Sequence, residues 1–285
     1  KNIFFMKKNI IENHHLKLIA HELRKRIIEV SYSSGAHHIG SALSCIDILT
    51  VLYFHVMNIK IKNPFDKKRD WFLLSKGHAA LALYLTLEKY GLLKDIQVEK
   101  EFLSDGGILG GHPDRLNQYG IEISSGSLGY GLSIGSGIAL SAKKDNRESR
   151  AFILLGDGEC NEGMIWEAVM FASHHRLDNL VAIVDYNNLQ GLGYIKDILN
   201  LSPLSNKFSS FDWNVREIDG NNIDELLEVF DDLPFKRNMP SVIIANTVKG
   251  KGISSMENKL HSHYEVLNEE RYKIIMNELD NIILN

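Results

Sequence analysis

Apolar residues recur along this chain in two rhythms. Leu16, Ile19, Leu23, Ile27 and Val30 repeat at intervals of three and four with basic residues between them. That spacing predicts a helix over residues 12–33, ending near Ser33-Ser34-Gly35, where small residues and glycine favour a turn. A second apolar helix is expected over about 44–57. Others are expected over 79–90, through about Ala142 after a Ser/Gly-rich lead-in at 124–131, over 223–233, and over 268–282. Short apolar runs at 70–74, 151–155, 180–184 and 241–247 read instead as buried strands, with another strand at 214–218. Strands alternating with helices predict an α/β fold with a mainly parallel sheet flanked by helices. Residues 191–210 carry only a weak pattern and are expected to form a long loop, which in a compact domain is often functional or a subunit contact.

The most informative stretch is 156–188. One apolar run ends at Gly156-Asp157-Gly158, a helix-period segment follows, and the next apolar run ends at Asp185-Tyr186-Asn187-Asn188. This is the pattern of a βαβ unit, whose right-handed crossover opens both strand ends on one edge of the sheet. Asp157 and Asn187 can therefore meet there. One charged and one neutral hard oxygen donor suit Mg²⁺, which takes one or two carboxylates together with substrate phosphate oxygens, and Gly158 lets a ligand approach the backbone. The expectation is a metal-diphosphate site. Four histidines, His38, His78, His112 and His263, each sit near glycine or serine in a predicted turn, where core packing explains them poorly. His174-His175 fall in the last turn of a helix, where the dipole is reason enough for them, and they are left out of the site.

Composition narrows the alternatives. The 285 residues suffice for one large α/β domain, and 44% hydrophobic with 24% charged residues is an ordinary globular balance. A net charge of -4 leaves no basic footprint, so no nucleic-acid partner is expected. Lys7-Lys8, Arg24-Lys25-Arg26 and Lys67-Lys68-Arg69 read as solvated clusters. Cys45 and Cys160 lie far apart without metal spacing, which fits a reducing compartment. The apolar run at residues 3–6 is too short for a signal peptide and no later stretch reads as membrane-spanning, so a cytoplasmic protein with no membrane partner is expected.

The order SSGAHHIGSALS, RDWFLLSKGHAALALY, GGHPD, SSGSLGYGLSIGSGIA, the GDG-to-NN unit, REIDGNN and TVKGKG resembles the N-terminal half of transketolase over nearly the whole chain. The GDG-to-NN unit is common to thiamine-diphosphate enzymes, and the histidine motifs narrow the resemblance to the transketolase group. It implies a thiamine-diphosphate-binding fold of the diphosphate-binding type, with thiamine diphosphate and Mg²⁺ (or Ca²⁺) as cofactors. By resemblance the metal ligands are Asp157, Asn187 and the backbone carbonyl of Leu189. Gly156, Gly158, His78 and His263 would lie near the diphosphate, and Gly126 and Leu128 along the aminopyrimidine ring. His38, His78, His112 and His263 are the implied catalytic histidines. Glu162 matches an acid near the cofactor and subunit contact, although a carboxylate favoured by a helix N-terminus explains it equally well. The implied chemistry is transfer of a two-carbon ketol group from a ketose to an aldose, with sugar or sugar-phosphate substrates.

The departures from the family are also informative. The resemblance treats residues 1–285 as a single diphosphate-binding domain with an N-terminal helical extension, the pyrimidine-binding and C-terminal domains being absent from this chain. A separate C-terminal subunit supplying the pyrimidine-binding domain is therefore expected, most simply in an α2β2 assembly. Tyr130 stands where relatives commonly carry glutamine or histidine. His263-Tyr264 matches the family's C-terminal histidine better than His261. Lys249 and Lys251 are within reach of the diphosphate, with a solvated turn as the safer reading. A related acyloin synthase of the deoxyxylulose-phosphate type and a cofactor-binding subunit without turnover are the alternatives.

Overall fold

The computed structural model describes residues 2–282, with side chains from residue 13 onward, so the apolar run at 3–6 and Lys7-Lys8 lie outside the described side chains. The elements run α1 (Asn2–Ser34), α2 (Ile39–Val51), β1 (Trp71–Leu74), α3 (Ala80–Tyr90), α4 (Val98–Glu101), α5 (Tyr130–Lys144) and β2 (Ala151–Gly156). They continue with α6 (Gly163–His174), β3 (Leu180–Tyr186), α7 (Ile195–Ile198), α8 (Leu204–Ser210), β4 (Asn214–Asp219), α9 (Ile223–Asp231), β5 (Ser241–Asn246) and α10 (Glu269–Asp280).

The five strands form one sheet in the order β1-β2-β3-β5-β4, and every pairing is parallel. Parallel pairing puts all C-terminal strand ends on one edge, where open α/β sheets bind ligands. Register makes this local: Gly156 pairs with Asp185, and Asp185 with Ala245, so the chain leaves β2, β3 and β5 at one level.

The inner strands β2, β3 and β5 are largely apolar because both faces are covered, whereas the edge strand β4 is mixed in polarity and partly exposed. Phe152, Leu154, Val181, Ile183 and Ile243 join the core under α1, α2, α3, α9 and α10. Their neighbours Ile153, Leu155, Ala182, Val184 and Ile244 join a second core under α5, α6 and α8. The small residues of α5 serve close packing: a methyl added at Gly135 would lie 2.6 Å from Ile153 Cδ1.

Several elements differ from the sequence reading. The second helix begins at Ile39 rather than near Ser44, because His38 takes a left-handed conformation (φ 67) that reverses the chain just before it. It continues as a π-helical turn, Leu52–Val56. The resulting 18-residue segment Ile39–Val56 is long and apolar enough to span a bilayer, contrary to expectation, but 83% of it is buried inside the protein as a core helix. Residues 191–210 are not a plain loop but carry α7 and α8. Leu204 and Phe208 of α8 are buried against the sheet, long-range burial that a local pattern does not reveal. Helix α1 does end at Ser34, with Gly35 left-handed behind it (φ 66), as the Ser-Ser-Gly turn predicts.

The Gly135 contact generates a stability prediction. Gly135→Val should cost about 1–3 kcal/mol by overpacking α5 onto β2. A urea midpoint unchanged from wild type would show that the α5–β2 contact is looser than described.

Candidate active site

Asp157 follows β2 directly and is 6% exposed. One carboxylate oxygen accepts the Gly158 N–H at 2.7 Å, and the other accepts the Asn187 and Asn188 N–H groups at 2.8 and 2.6 Å. The two strand ends that the βαβ argument brings together are thus joined through one side chain. Asn187 Oδ1 accepts from Leu189 N at 3.1 Å, and the Leu189 carbonyl accepts from Lys249 Nζ at 3.0 Å. Burial, and then the nearby Asp185, raise the Asp157 pKa to about 6, which marks a carboxylate whose surroundings would welcome a cation. Among the described residues no group of three or more His, Cys, Asp or Glu side chains could hold a metal by itself. A set of one carboxylate, one carboxamide and one carbonyl suits a cation that also takes phosphate oxygens.

The four histidines converge over this point. The His38 ring lies 4.9 Å from His263, 5.6 Å from His78 and 5.9 Å from His112, and His78 lies 5.5 Å from His263. They come from the α1–α2 turn, the turn after β1, the glycine-rich loop and the segment after β5. The His38 N–H donates to the His263 carbonyl at 2.9 Å, which joins two of these segments. His261 stays outside, beside Glu265 at 3.5 Å. His174 and His175 lie at the end of α6, also outside. Burial first, then cationic neighbours, lower the His38 pKa to about 4 and that of His263 to about 3, and His78 shifts well downward for the same reasons. His38, His78 and His263 are therefore neutral near pH 7.

A pocket of about 440 Å³ opens between the histidines and the strand ends, lined by residues that include His78, Leu128, Gly156, Gly158, Glu162 and Asn187. Gly158 abuts Gln190, whose Cγ would lie 2.8 Å from an added methyl. Gly126 faces His112, whose ring would lie 3.5 Å from a methyl there. Glu162 is exposed at the pocket margin beside Gly129.

Residues 17–280 match the family model described as transketolase, thiamine diphosphate binding domain. This chain belongs to that family. It is 39% identical over 264 residues to an apulose-4-phosphate transketolase subunit of Phocaeicola vulgatus, covering 93% of each protein. It is 40% identical over 261 residues to the 6-deoxy-6-sulfo-D-fructose transketolase subunit SqwG of a Clostridium species, covering 92% of this chain and 94% of that one. The transketolase structure from Campylobacter jejuni superposes with a TM-score of 0.84 at 31% identity, covering 95% of this chain and 44% of that chain. The chain thus spans less than half the length of that solved transketolase.

In this transketolase-family site the sequence reading missed a layer of buried charge. Lys249, read as a solvated turn, is 1% exposed. Its ammonium lies 3.0 Å from His263 Nδ1, and burial lowers its pKa to about 8. Lys251 does stay partly exposed, paired with Glu257 at 3.7 Å. Lys76 is likewise buried and forms an ion pair with Asp185, which also accepts from Ser44 Oγ at 2.5 Å and from Thr247 Oγ1. Glu159 is 2% exposed and accepts from Gly156 N at 3.0 Å, Gly129 N at 2.8 Å and Ser75 Oγ. It ties the loops after β1 and β2 to the start of α5. The only sequence signal for these residues was their place in SKGH, GDGE and TVKGKG, beside strand ends.

The buried charges and neutral rings can each be tested by substitution. Lys76→Met leaves Asp185 buried and uncompensated and should cost about 3–5 kcal/mol in urea unfolding, whereas Lys76→Met/Asp185→Leu should recover much of it. A second test concerns acid. His38 and His263 titrate near 6.5 when unfolded but at about 4 and about 3 in the fold, so the unfolded chain binds more protons across that window. Their contribution is fully present above pH 6.5 and is lost as pH falls through about 4 for His38 and about 3 for His263. His38→Asn or His263→Gln should flatten the acid limb of stability against pH, and an unchanged slope would refute the neutral-ring assignment.

Proposed function

We propose that this chain is the cofactor-anchoring, N-terminal subunit of a two-chain, thiamine-diphosphate-dependent transketolase that moves a two-carbon ketol group from a ketose to an aldose. The observation carrying this reading is the meeting of Asp157, Asn187 and the Leu189 carbonyl at adjacent strand ends, beneath four converging histidines. The donor set fits Mg²⁺ or Ca²⁺ with a diphosphate, and we assign those three residues as the metal ligands. Lys76 and Lys249 supply buried positive charge toward the diphosphate. Gly156 and Gly158 keep the floor open to it, Leu128 lines the pocket, and we assign Leu128 and Gly126, which packs on His112, to the ring end of the cofactor. When bound, thiamine diphosphate supplies a carbanion-stabilising centre for carbon–carbon cleavage and formation. His38, His78 and His263, neutral near pH 7, and His112 beside them can hydrogen-bond to sugar hydroxyls, and their mutual packing fixes where those hydroxyls bind.

Relatives of matching length that are named as transketolase subunits support a partner chain, and they favour this reading over an acyloin synthase or a non-catalytic subunit. We assign the partner the pyrimidine-binding domain and the assembly an α2β2 form, with Glu162 at the subunit margin of the pocket. Their names specify apulose-4-phosphate and 6-deoxy-6-sulfo-D-fructose, so a sugar with an anionic tail is the substrate class we propose. The described residues form one sheet with its helices, read here as a single diphosphate-binding domain. Two buried free cysteines fit a reducing, cytoplasmic setting.

Asp157→Ala tests the reading. In the full chain reconstituted with the partner that co-purifies with it, metal-dependent thiamine diphosphate binding and ketol transfer should both be lost. Survival of activity in that complex would instead favour a non-catalytic role for this chain.

A further inference from the structure

The loop 187–191 carries the proposed metal ligands Asn187 and Leu189, and two separate contacts tie it to the segment 249–264. One is the Lys249 ammonium on the Leu189 carbonyl at 3.0 Å. The other is Tyr264. A methyl added at Gly191 would lie 2.8 Å from the Tyr264 hydroxyl oxygen and 3.3 Å from the His263 ring. Gly191 is not among the positive-φ glycines, so contact rather than backbone conformation makes glycine fit there.

Tyr264 is 57% exposed, yet both its ring and its carbonyl are held. Its ring stands edge-on to His263, with centroids 4.6 Å apart at 78°. Its carbonyl meets His37 Nδ1 at 3.1 Å, and one residue away the His38 N–H donates to the His263 carbonyl at 2.9 Å. The α1–α2 turn therefore forms a bracket for residues 263–264, and the Tyr264 hydroxyl carries that bracket to Gly191. Gln190 is held from the other side, by Asn161 Oδ1 at 2.8 Å.

We propose that Tyr264 is a positioning residue that braces Gly191, and so holds the Leu189 carbonyl and Asn187 toward the metal–diphosphate site while tying that loop to the histidine cluster. This rests on the reading of the pocket as a thiamine diphosphate site. Tyr264 also lines the pocket, and as a brace its effect should be on loop order and cofactor affinity.

A size swap tests the brace. Tyr264→Phe withdraws the hydroxyl, Gly191→Ala adds a methyl that would lie 2.8 Å from the hydroxyl oxygen, and Gly191→Ala/Tyr264→Phe removes that oxygen to make room for the methyl. In the full chain, hydrogen exchange at 187–191 should rise in each single variant and return toward wild type in the double, with exchange in β2 and β3 unchanged as a control on folding. With the co-purified partner and Mg²⁺ present, calorimetry should show thiamine diphosphate binding about 10-fold weaker in each single variant and restored in the double, the scale typical of residues that orient metal ligands. A double variant no better than the worse single, or singles that exchange like wild type, would overturn the brace. If instead the wild-type complex binds no thiamine diphosphate while the exchange pattern follows the swap, the cofactor reading fails and the brace stands.

Discussion

The site depends on one buried carboxylate. Asp157 accepts three backbone N–H groups, one from its own turn and two from the turn after the next strand. Charge-assisted bonds of this kind are stronger and more geometrically demanding than neutral ones. They also satisfy backbone donors that the end of the sheet would otherwise leave buried without partners. The loops after β2 and β3 are thereby held in one arrangement, and Asn187 and the Leu189 carbonyl inherit their places from it.

Asp157 sits in a charge balance that suits a polyanionic ligand with a divalent cation. Lys76 and Lys249 are buried beside Asp157, Glu159 and Asp185. Asp185 is matched closely by Lys76 and two hydroxyls, and Glu159 by two amides and a hydroxyl. Asp157 has amides but no ion-pair partner among the described residues, and its pKa is raised to about 6. A bound cation would hold it ionised, and the two lysines would then face added negative charge. Burial, together with the same positive field, keeps the His38, His78 and His263 imidazoles neutral, which is the form that accepts protons.

Close backbone approaches assemble the site from segments far apart in the chain. A methyl at Gly77 would lie 2.7 Å from Ser125 Oγ, and one at Gly40 would lie 2.9 Å from Ser262 Cβ. Gly77 precedes His78, Ser125 precedes Gly126, and Gly40 and Ser262 flank His38 and His263. Glycine at these points brings the histidine-bearing turns within ring contact of each other, which larger residues would prevent.

Part of this was determined by local sequence. Apolar runs of strand length, separated by helix-period segments, fix a parallel α/β sheet, because only burial on both faces suits such strands. Parallel order then forces Asp157 and Asn187 onto one edge, and histidines in glycine turns stand out by residue type. The family resemblance added Leu189, Gly126 and Leu128, whose roles would rest on backbone or shape and leave no mark in side-chain chemistry. Only the tertiary structure decided that Lys76, Lys249 and Glu159 are buried, since isolated lysine and glutamate are ordinarily solvated and their burial depends on partners from other segments. It placed His263 in ring contact with the other histidines and His261 outside beside Glu265, as the resemblance favours, and it turned the weakly patterned 191–210 stretch into two short helices. These outcomes depend on contacts between distant residues, and a pattern read along the chain records only what each residue can do for its neighbours.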